Sequence, residues 1–353
     1  MQEKVLMKGN EAIAEAAIRA GCRHYFGYPI TPQTEVAAYM AKRLPKIGGT
    51  YLQAESEVAA INMVLGCAST GTRCLTSSSS PGISLKGEGI SYIIGSDLPC
   101  VIINVMRGGP GLGGIQPSQA DYWQATKAPG HGDGQVLVFA PSSVQEIVNL
   151  IGRAFDKAET YRMPAMILAD GMLGQMMEPV EFPETTPAPH DKPWALTGTK
   201  GQRKPNIVNS LYLQPQELER TIVERQKRYD LIKETEVLVE EQFLDDAEFV
   251  VVAYGATARV VKSAVSKARE KGIRVGLIRP ITLWPFPKDT LSAAADQVKS
   301  FLSVELNMGQ MIDDIRLATQ CRRPVALCNR VGGMIPSPDQ VLRSIREAAK
   351  GGK

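Results

Sequence analysis

The sequence predicts an α/β protein built as two successive parallel-sheet domains, and three observations lead there. At 353 residues the chain exceeds the length of one ordinary domain. Over residues 1–182, and again over residues 247–353, short runs rich in Val, Ile and Leu alternate with helical patterns. That alternation implies crossover units and a sheet covered on both faces. Between the two, residues 183–246 change texture and read as an irregular excursion followed by a connecting helix.

Taken in order, Asn10 is placed to cap a helix through Ala20, with Gly21 as its stop. His24–Gly27 reads as a strand. Thr31–Ala41 begins a helix, with Thr31 suited to the N-cap and Pro32 to the first helical position. Thr50–Leu52 is a short strand and residues 54–66 a helix; further strands fall at 73–77, 100–106, 136–139 and 165–169. FPETTPAPHDKPWALTGTKGQRKP is rich in Pro, Gly and charge. ELERTIVERQKRYDLIKETEVLVEEQF then reads as a charged amphipathic helix, a solvated connector packed on one stripe. In the last hundred residues FVVVAYG, IRVGLIRPIT, KSFLSVEL and PVALCNRV read as strands. ATARVVKSAVSKAREKG, PKDTLSAAADQV, NMGQMIDDIRLATQC and SPDQVLRSIREAAK are the helices between and after them.

Composition narrows the class. Hydrophobic residues make up 44% and charged ones 22%, as in an ordinary globular protein. Forty basic against thirty-seven acidic residues leave +3, which gives no footprint for nucleic acid or for a membrane surface. The start, MQEKVLMKGNEAIAE, carries acids where a signal peptide needs an apolar core, and no apolar run approaches the roughly 20 residues of a membrane span. The six cysteines show no CxxC spacing and sit mostly in apolar runs. They read as small buried hydrophobes in a reducing, cytoplasmic setting. This chain alone is expected to hold no metal: neither zinc nor an iron–sulfur cluster.

Several residues could carry chemistry. QAESEVAAINMVLG puts Glu55 and Glu57 on the first turn of a nearly all-apolar helix. Ala60, Ile61 and Val64 follow Glu57 at helical spacing, so it heads the apolar stripe. Spacing alone favours the plainer role for both, acids welcomed by the helix dipole at a solvated edge. Tyr28-Pro-Ile-Thr-Pro-Gln-Thr-Glu35 is a rigid crossing from strand end to helix start. Such strand ends are where open α/β sheets present ligand-contacting loops. Val105-Met-Arg-Gly-Gly-Pro-Gly-Leu-Gly-Gly114 follows a strand with Arg107 and five glycines, a loop suited to an anion but matching neither the P-loop nor the dinucleotide pattern. Ser77–Ser80 is a further loop candidate. So is Gly130-His-Gly-Asp-Gly134, whose His131 could do acid–base work or lie plainly on the surface.

The order YPITP, QAESEVAA, MRGGPGLGG, with AYGATAR, LIRPITLWPFP and VELNMGQM later, resembles the α subunits of 2-oxoacid:ferredoxin oxidoreductases over nearly the whole chain. It looks closest to the 2-oxoisovalerate (branched-chain) subtype, with the 2-oxoglutarate subtype a near neighbour. The resemblance implies a pyrimidine-binding domain for thiamine diphosphate, followed by a transketolase-C-terminal-like α/β domain. It implies that Glu57 hydrogen-bonds N1′ of the aminopyrimidine and so favours the imino tautomer that generates the ylide. The resemblance also implies that Pro29 and Ile30 belong to the cofactor-contacting turn. By the same resemblance Thr31 is expected near the thiazolium and the substrate carboxylate, and Arg107 is expected to face that region and pair with the carboxylate. The activity implied is oxidative decarboxylation of a 2-oxo acid, with CoA taking the acyl group and electrons passing to ferredoxin, in anaerobic metabolism.

No Gly-Asp-Gly with a suitable downstream Asn is found to hold the diphosphate through Mg²⁺: Gly132-Asp-Gly134 lacks the partner loop. Mg²⁺ and the [4Fe–4S] clusters are therefore expected on partner subunits, namely a diphosphate-binding β subunit, a γ subunit and a ferredoxin-like cluster subunit. The chain should be inactive alone. A different class, a non-catalytic scaffold, would have been favoured had Glu57 or Arg107 been missing. A self-sufficient transketolase-like enzyme is disfavoured by the absent diphosphate-binding domain.

Overall fold

The computed structural model describes residues 4–183 and 191–349. Its first half runs β1 (Val5–Lys8), α1 (Gly9–Arg19), β2 (His24–Gly27), α2 (Thr34–Arg43), β3 (Thr50–Gln53), α3 (Glu57–Ser69), β4 (Cys74–Ser78) and α4 (Ser80–Gly95). It continues β5 (Val101–Met106), α5 (Tyr122–Thr126), β6 (Leu137–Phe139), α6 (Val144–Tyr161), β7 (Ala165–Asp170), α7 (Gly171–Gln175) and β8 (Met177–Val180). Helix α8 (Pro215–Thr235) then leads to β9 (Val239–Gln242), β10 (Phe249–Val252), α9 (Thr257–Arg269), β11 (Val275–Pro280) and β12 (Thr282–Trp284). The chain closes with α10 (Lys288–Gln297), β13 (Ser300–Glu305), α11 (Met311–Ala318), β14 (Val325–Asn329) and α12 (Pro338–Ala349).

Two sheets organise the molecule. The first has the order β12-β6-β7-β5-β4-β2-β3 and is parallel except for β12, which runs antiparallel to β6. The second has the order β14-β13-β10-β11-β9, parallel except for β9 against β11. A separate antiparallel pair joins β1 to β8. Every residue of β5 (VIINVM) and β7 (AMILAD) is buried, as central parallel strands covered on both faces must be. In β10 the alternation is visible. Val250 and Val252 join the core of the first sheet, while Val251 faces α9 and α12 with Val261, Val265 and Leu342. One apolar interior therefore runs from the first sheet onto the near face of the second.

Several expected ends move, each for a local reason. Asn10 lies inside α1, not at its cap: its amide donates to Pro32 O at 2.7 Å and Glu35 Oε2 at 2.8 Å, engaged by the turn after β2. Helix α2 starts at Thr34 with Gln33 as its N-cap, so Thr31 is not the cap and Pro32 is not the first helical residue. The carbonyls of Thr31 and Pro32 are taken by Arg107 and Asn10, which keeps both residues out of the helical ladder. Helix α3 starts at Glu57, because Ala54 N still bonds Gly27 O and extended Ser56 accepts from Ala59 N.

The connecting helix ends at Thr235, and VEEQ that follows is the strand β9. IRVGLIRPIT splits into β11 and β12, which belong to different sheets. Thus β9 precedes residue 247 yet extends the second sheet, and β12 follows it yet extends the first. Of the irregular excursion, residues 184–190 lie outside the described residues. The β1–β8 pair has too few residues and too mixed a pattern to be read from sequence. No helix among the described residues is long and apolar enough to cross a membrane.

Candidate active site at the carboxyl edge of the first sheet

Because β2, β3, β4, β5 and β7 are parallel, their carboxyl ends open on one edge, where turns carry side chains without continuing the ladder. From β2 comes the turn Tyr28–Gln33, with Tyr28, Pro29 and Thr31 exposed and Ile30 half-buried. From the β3–α3 junction comes Glu57, the first residue of its helix and only 6% exposed, while Glu55 stays in solvent. The solvated-edge reading therefore holds for Glu55 and fails for Glu57.

No described residue hydrogen-bonds the Glu57 carboxylate. It packs against the start of α4, where a Cβ built on Gly82 would lie 2.6 Å from Glu57 Oε1 and 2.1 Å from Ser78 Oγ. A side chain at 82 would have to displace Ser78 Oγ or the Glu57 carboxylate.

The end of β4 is a buried polar seam. Ser77 Oγ donates to Gln33 Oε1 at 2.5 Å and meets Tyr25 OH at 2.7 Å, tying the β2 turn to the sheet. Ser80 Oγ donates to Asp121 Oδ2 at 2.6 Å and lies 3.0 Å from Arg107 N as its acceptor. Ser78 Oγ, Ser79 Oγ, Gln33 Nε2 and Arg107 Nε are buried and have no hydrogen-bond partner. A buried polar atom left without a partner costs about 1–3 kcal/mol, so four at one edge, beside a carboxylate with none, mark it as an edge whose polar groups the described residues of this chain do not satisfy.

Arg107 reaches across this edge. Its Nη1 donates to Thr31 O at 3.0 Å and its Nη2 to Leu112 O at 3.2 Å, so one guanidinium pins both the β2 turn and the glycine loop. That loop closes on itself: Gly114 N donates to Gly108 O and Gly108 N to Gln116 O, each at 3.0 Å. Gly113 has φ 58°, and a Cβ there would meet Gly108 O at 2.0 Å, so its glycine serves the loop's own closure. Beyond Arg107 lies a cavity of about 770 Å³, bounded by Ser80, Asp121 and Gln124 on one side and Met308 and Val331 on the other; Arg107 lines it, Glu57 and Thr31 do not. Burial pushes the Asp121 carboxyl up, against the opposing bonds from Ser80 and Asn104.

The structure thus brings Glu57, Thr31 and Arg107 to one edge, with Pro29 and Ile30 in the connecting turn. It does not bring His131 there. That ring is exposed and packs edge-on to Tyr92, 6.0 Å between centroids, with Ser91 bonding its carbonyl, toward the far end of α4. Ser77–Ser80 is less a loop than expected, since Ser77 and Ser78 finish β4 and Ser80 opens α4. The residue sequence reasoning missed is Lys86, fully buried under this edge. Its signal was available: it falls on the face of α4 that carries Ile83, Gly89, Ile90 and Ile93. In VELNMGQM, Glu305 is fully buried and accepts from the backbone N–H groups of Gln310, Met311 and Ile312, so it organises the start of α11.

Comparison with known proteins adds two family matches. Residues 15–242 match the thiamine-diphosphate-binding family of pyruvate flavodoxin/ferredoxin oxidoreductases, and residues 247–341 match core domain II of pyruvate:ferredoxin oxidoreductase. A ketoisovalerate oxidoreductase subunit VorB from Methanothermobacter thermautotrophicus is 50% identical over 345 residues, covering 98% of this chain and 97% of that protein. A 2-oxoglutarate synthase subunit KorA from Methanocaldococcus jannaschii is 37% identical over 374 residues, covering 96% and 98%. Among solved structures, 2-oxoglutarate:ferredoxin oxidoreductase from Magnetococcus marinus, with 2-oxoglutarate, coenzyme A and succinyl-CoA bound, superposes with TM-score 0.87 at 25% identity. That match covers 98% of this chain and 65% of the other.

Proposed function

The chain belongs to the pyruvate flavodoxin/ferredoxin oxidoreductase family, and from that premise we propose that it is a subunit of a CoA-acylating 2-oxoisovalerate:ferredoxin oxidoreductase. The assembly converts the branched-chain 2-oxo acid to acyl-CoA and CO₂ and passes electrons to ferredoxin in the cytoplasm. The chemistry rests on one observation: Glu57, buried and without a hydrogen-bond partner among the described residues, beside the glycine and the orphaned serine that leave it room. The choice of substrate rests on identity over full length, 50% to a ketoisovalerate oxidoreductase subunit against 37% to a 2-oxoglutarate synthase subunit.

The residues present fit an aminopyrimidine. Glu57 offers an open carboxylate to the ring nitrogen N1′, and Pro29, Ile30 and Thr31, in the turn after the adjoining strand β2, are assigned to the same cofactor edge. Thiamine diphosphate, when bound, supplies an electron sink for the carbon that loses CO₂. Glu57 would share a proton with N1′, which makes the opposite 4′-amino group more acidic, so that it can lose a proton and then serve as a base. Arg107, held by Thr31 O and Leu112 O, lines the neighbouring cavity and binds the carboxylate of the 2-oxo acid. Thr31 adds its exposed hydroxyl at the same place.

The relatives are named as subunits, so this chain works within a multi-subunit assembly. We assign Mg²⁺ and the diphosphate site to a β subunit, the [4Fe–4S] clusters to a ferredoxin-like subunit and its neighbours, and a further γ subunit to the complex. CoA enters as co-substrate.

A 2-oxoglutarate enzyme is the second reading, favoured by the 0.87 superposition on a 2-oxoglutarate:ferredoxin oxidoreductase. The test is anaerobic co-purification of the tagged chain from its native cells, followed by CoA-dependent viologen reduction across a panel of 2-oxo acids. Turnover with 2-oxoisovalerate that requires thiamine diphosphate and CoA is the expected result. Preference for 2-oxoglutarate keeps the mechanism and replaces the substrate. A chain that elutes without cofactor-bearing or cluster-bearing partners leaves only a scaffold.

A further inference from the structure

Lys86 has no place in that chemistry, yet it is fully buried on the apolar face of α4. A methionine or leucine would fill the same space without taking a cation out of water, which costs several kcal/mol even after relaxation. Its ammonium donates to Thr76 Oγ1 at 2.7 Å and to Ser77 O at 3.1 Å, both on β4 directly under the seam described above. Gly82 precedes Lys86 by four residues on the same helix face, and a Cβ at Gly82 would meet the Glu57 carboxylate. Helical side chains lean toward the helix N-terminus, so Lys86 points back toward that contact.

Two titratable groups act on Lys86. The Glu57 carboxylate, from α3, supports its charge, as does the weaker influence of the Cys100 thiol before β5. Glu88 on its own helix is exposed and turned away. Burial dominates and pushes the ammonium down to about 7.

We propose that Lys86 is a positioning residue for Glu57: its buried ammonium is the counter-charge that keeps a carboxylate lacking hydrogen bonds stable at the cofactor edge, ready for the pyrimidine nitrogen. The inference rests on the reading of Glu57 as the thiamine diphosphate contact. Removing either charge leaves the other buried and unbalanced, whereas removing both does not.

The test is a double-mutant cycle with two readouts. Urea unfolding of the full chain at pH 6.5 compares wild type, E57Q, K86M and the double variant. The double variant is expected to be at least tenfold more stable than the single effects summed, with the coupling fading by pH 9. Effects that add within threefold overturn the proposal. Calorimetric binding of thiamine diphosphate with Mg²⁺ is then measured on the assembled complex, without turnover. K86M is expected to bind at least tenfold more weakly and K86R within threefold of wild type, and K86M should have no further effect once Glu57 is Gln. Undiminished affinity in K86M, or an equal loss in the E57Q background, overturns it. Should K86M fail to fold, T76V, which removes one acceptor and leaves both charges, is expected to weaken binding in the same direction by a smaller factor; unchanged affinity there counts against the proposal. A wild-type complex that binds no thiamine diphosphate overturns the reading of Glu57 and this inference with it. Normal wild-type binding with an additive cycle overturns the inference alone.

Discussion

Gly82→Ala adds one methyl group at the point where α4 meets the Glu57 carboxylate. The new Cβ would sit 2.1 Å from Ser78 Oγ and 2.6 Å from Glu57 Oε1, closer than such atoms approach, so one of those side chains must move. Alanine gains at most about 0.5–1 kcal/mol over glycine in a helix, while overpacking a filled site costs about 1–3 kcal/mol. The net is a loss of about 1–2 kcal/mol. Gly87 on the same helix has nothing within 4 Å of its built Cβ. Gly87→Ala should therefore gain up to about 1 kcal/mol, opposite in sign. Urea unfolding of the full chain, with matched m-values, measures both. Because the displaced group is Glu57, G82A should also weaken thiamine diphosphate binding by the assembled complex at least tenfold, about 1.4 kcal/mol, with G87A unchanged. If the two variants match in stability and in binding, the carboxylate does not occupy the space assigned to it.

Arg107→Lys keeps the charge but cannot pin Thr31 O and Leu112 O together while facing a carboxylate. KM for the 2-oxo acid should rise tenfold or more in steady-state assays of the complex, and an unchanged KM would remove Arg107 from the substrate. Gln119 is fully buried and joins the two sheets: Nε2 donates to Tyr254 O at 2.9 Å, and Oε1 accepts from Thr257 Oγ1 at 3.0 Å and Leu306 N at 3.1 Å. Gln119→Ala leaves several buried polar groups unpaired and should cost about 3–5 kcal/mol in urea unfolding. Lys86 sheds its proton near pH 7 in the folded chain but keeps it to about 10.4 when unfolded. Between those values the unfolded state binds more protons, so stability rises with pH, by on the order of a few kcal/mol overall. K86M should flatten that slope between pH 7 and 9, and an identical slope would place the ammonium outside the apolar interior.

The sheets were legible because central parallel strands are unbroken apolar runs: residues 100–106 and 165–169 nearly coincide with β5 and β7. Helix starts were less so, since they depend on distant partners. Nothing in the sequence near Asn10 announces that its amide is claimed by Pro32 and Glu35, or that Arg107 takes the Thr31 carbonyl. Periodicity marked Glu57 as heading an apolar stripe but could not tell burial from the fringe of solvent. The fold leaves Glu57 6% exposed, with the side-chain-free Gly82, twenty-five residues on and in another helix, packed beside it. Lys86 is hard to read because a lysine on a helix ordinarily means an exposed face, although its position among Ile83, Ile90 and Ile93 says otherwise.

The interlacing of β9 and β12 has a consequence for how the molecule comes apart. Each sheet is bordered by an antiparallel strand from across the textural divide near residue 246, and Arg279, on the strand beside β9, grips Glu240 of that border and Glu146 of α6. Cutting the chain at 246/247 would strip a border from both pieces at once and bare two unpaired strands, each a template for stray pairing. The halves are laced like two pages sewn through a common gutter. They should melt together in a single transition, and a shortened version of either would stick to its neighbours before it would stand alone.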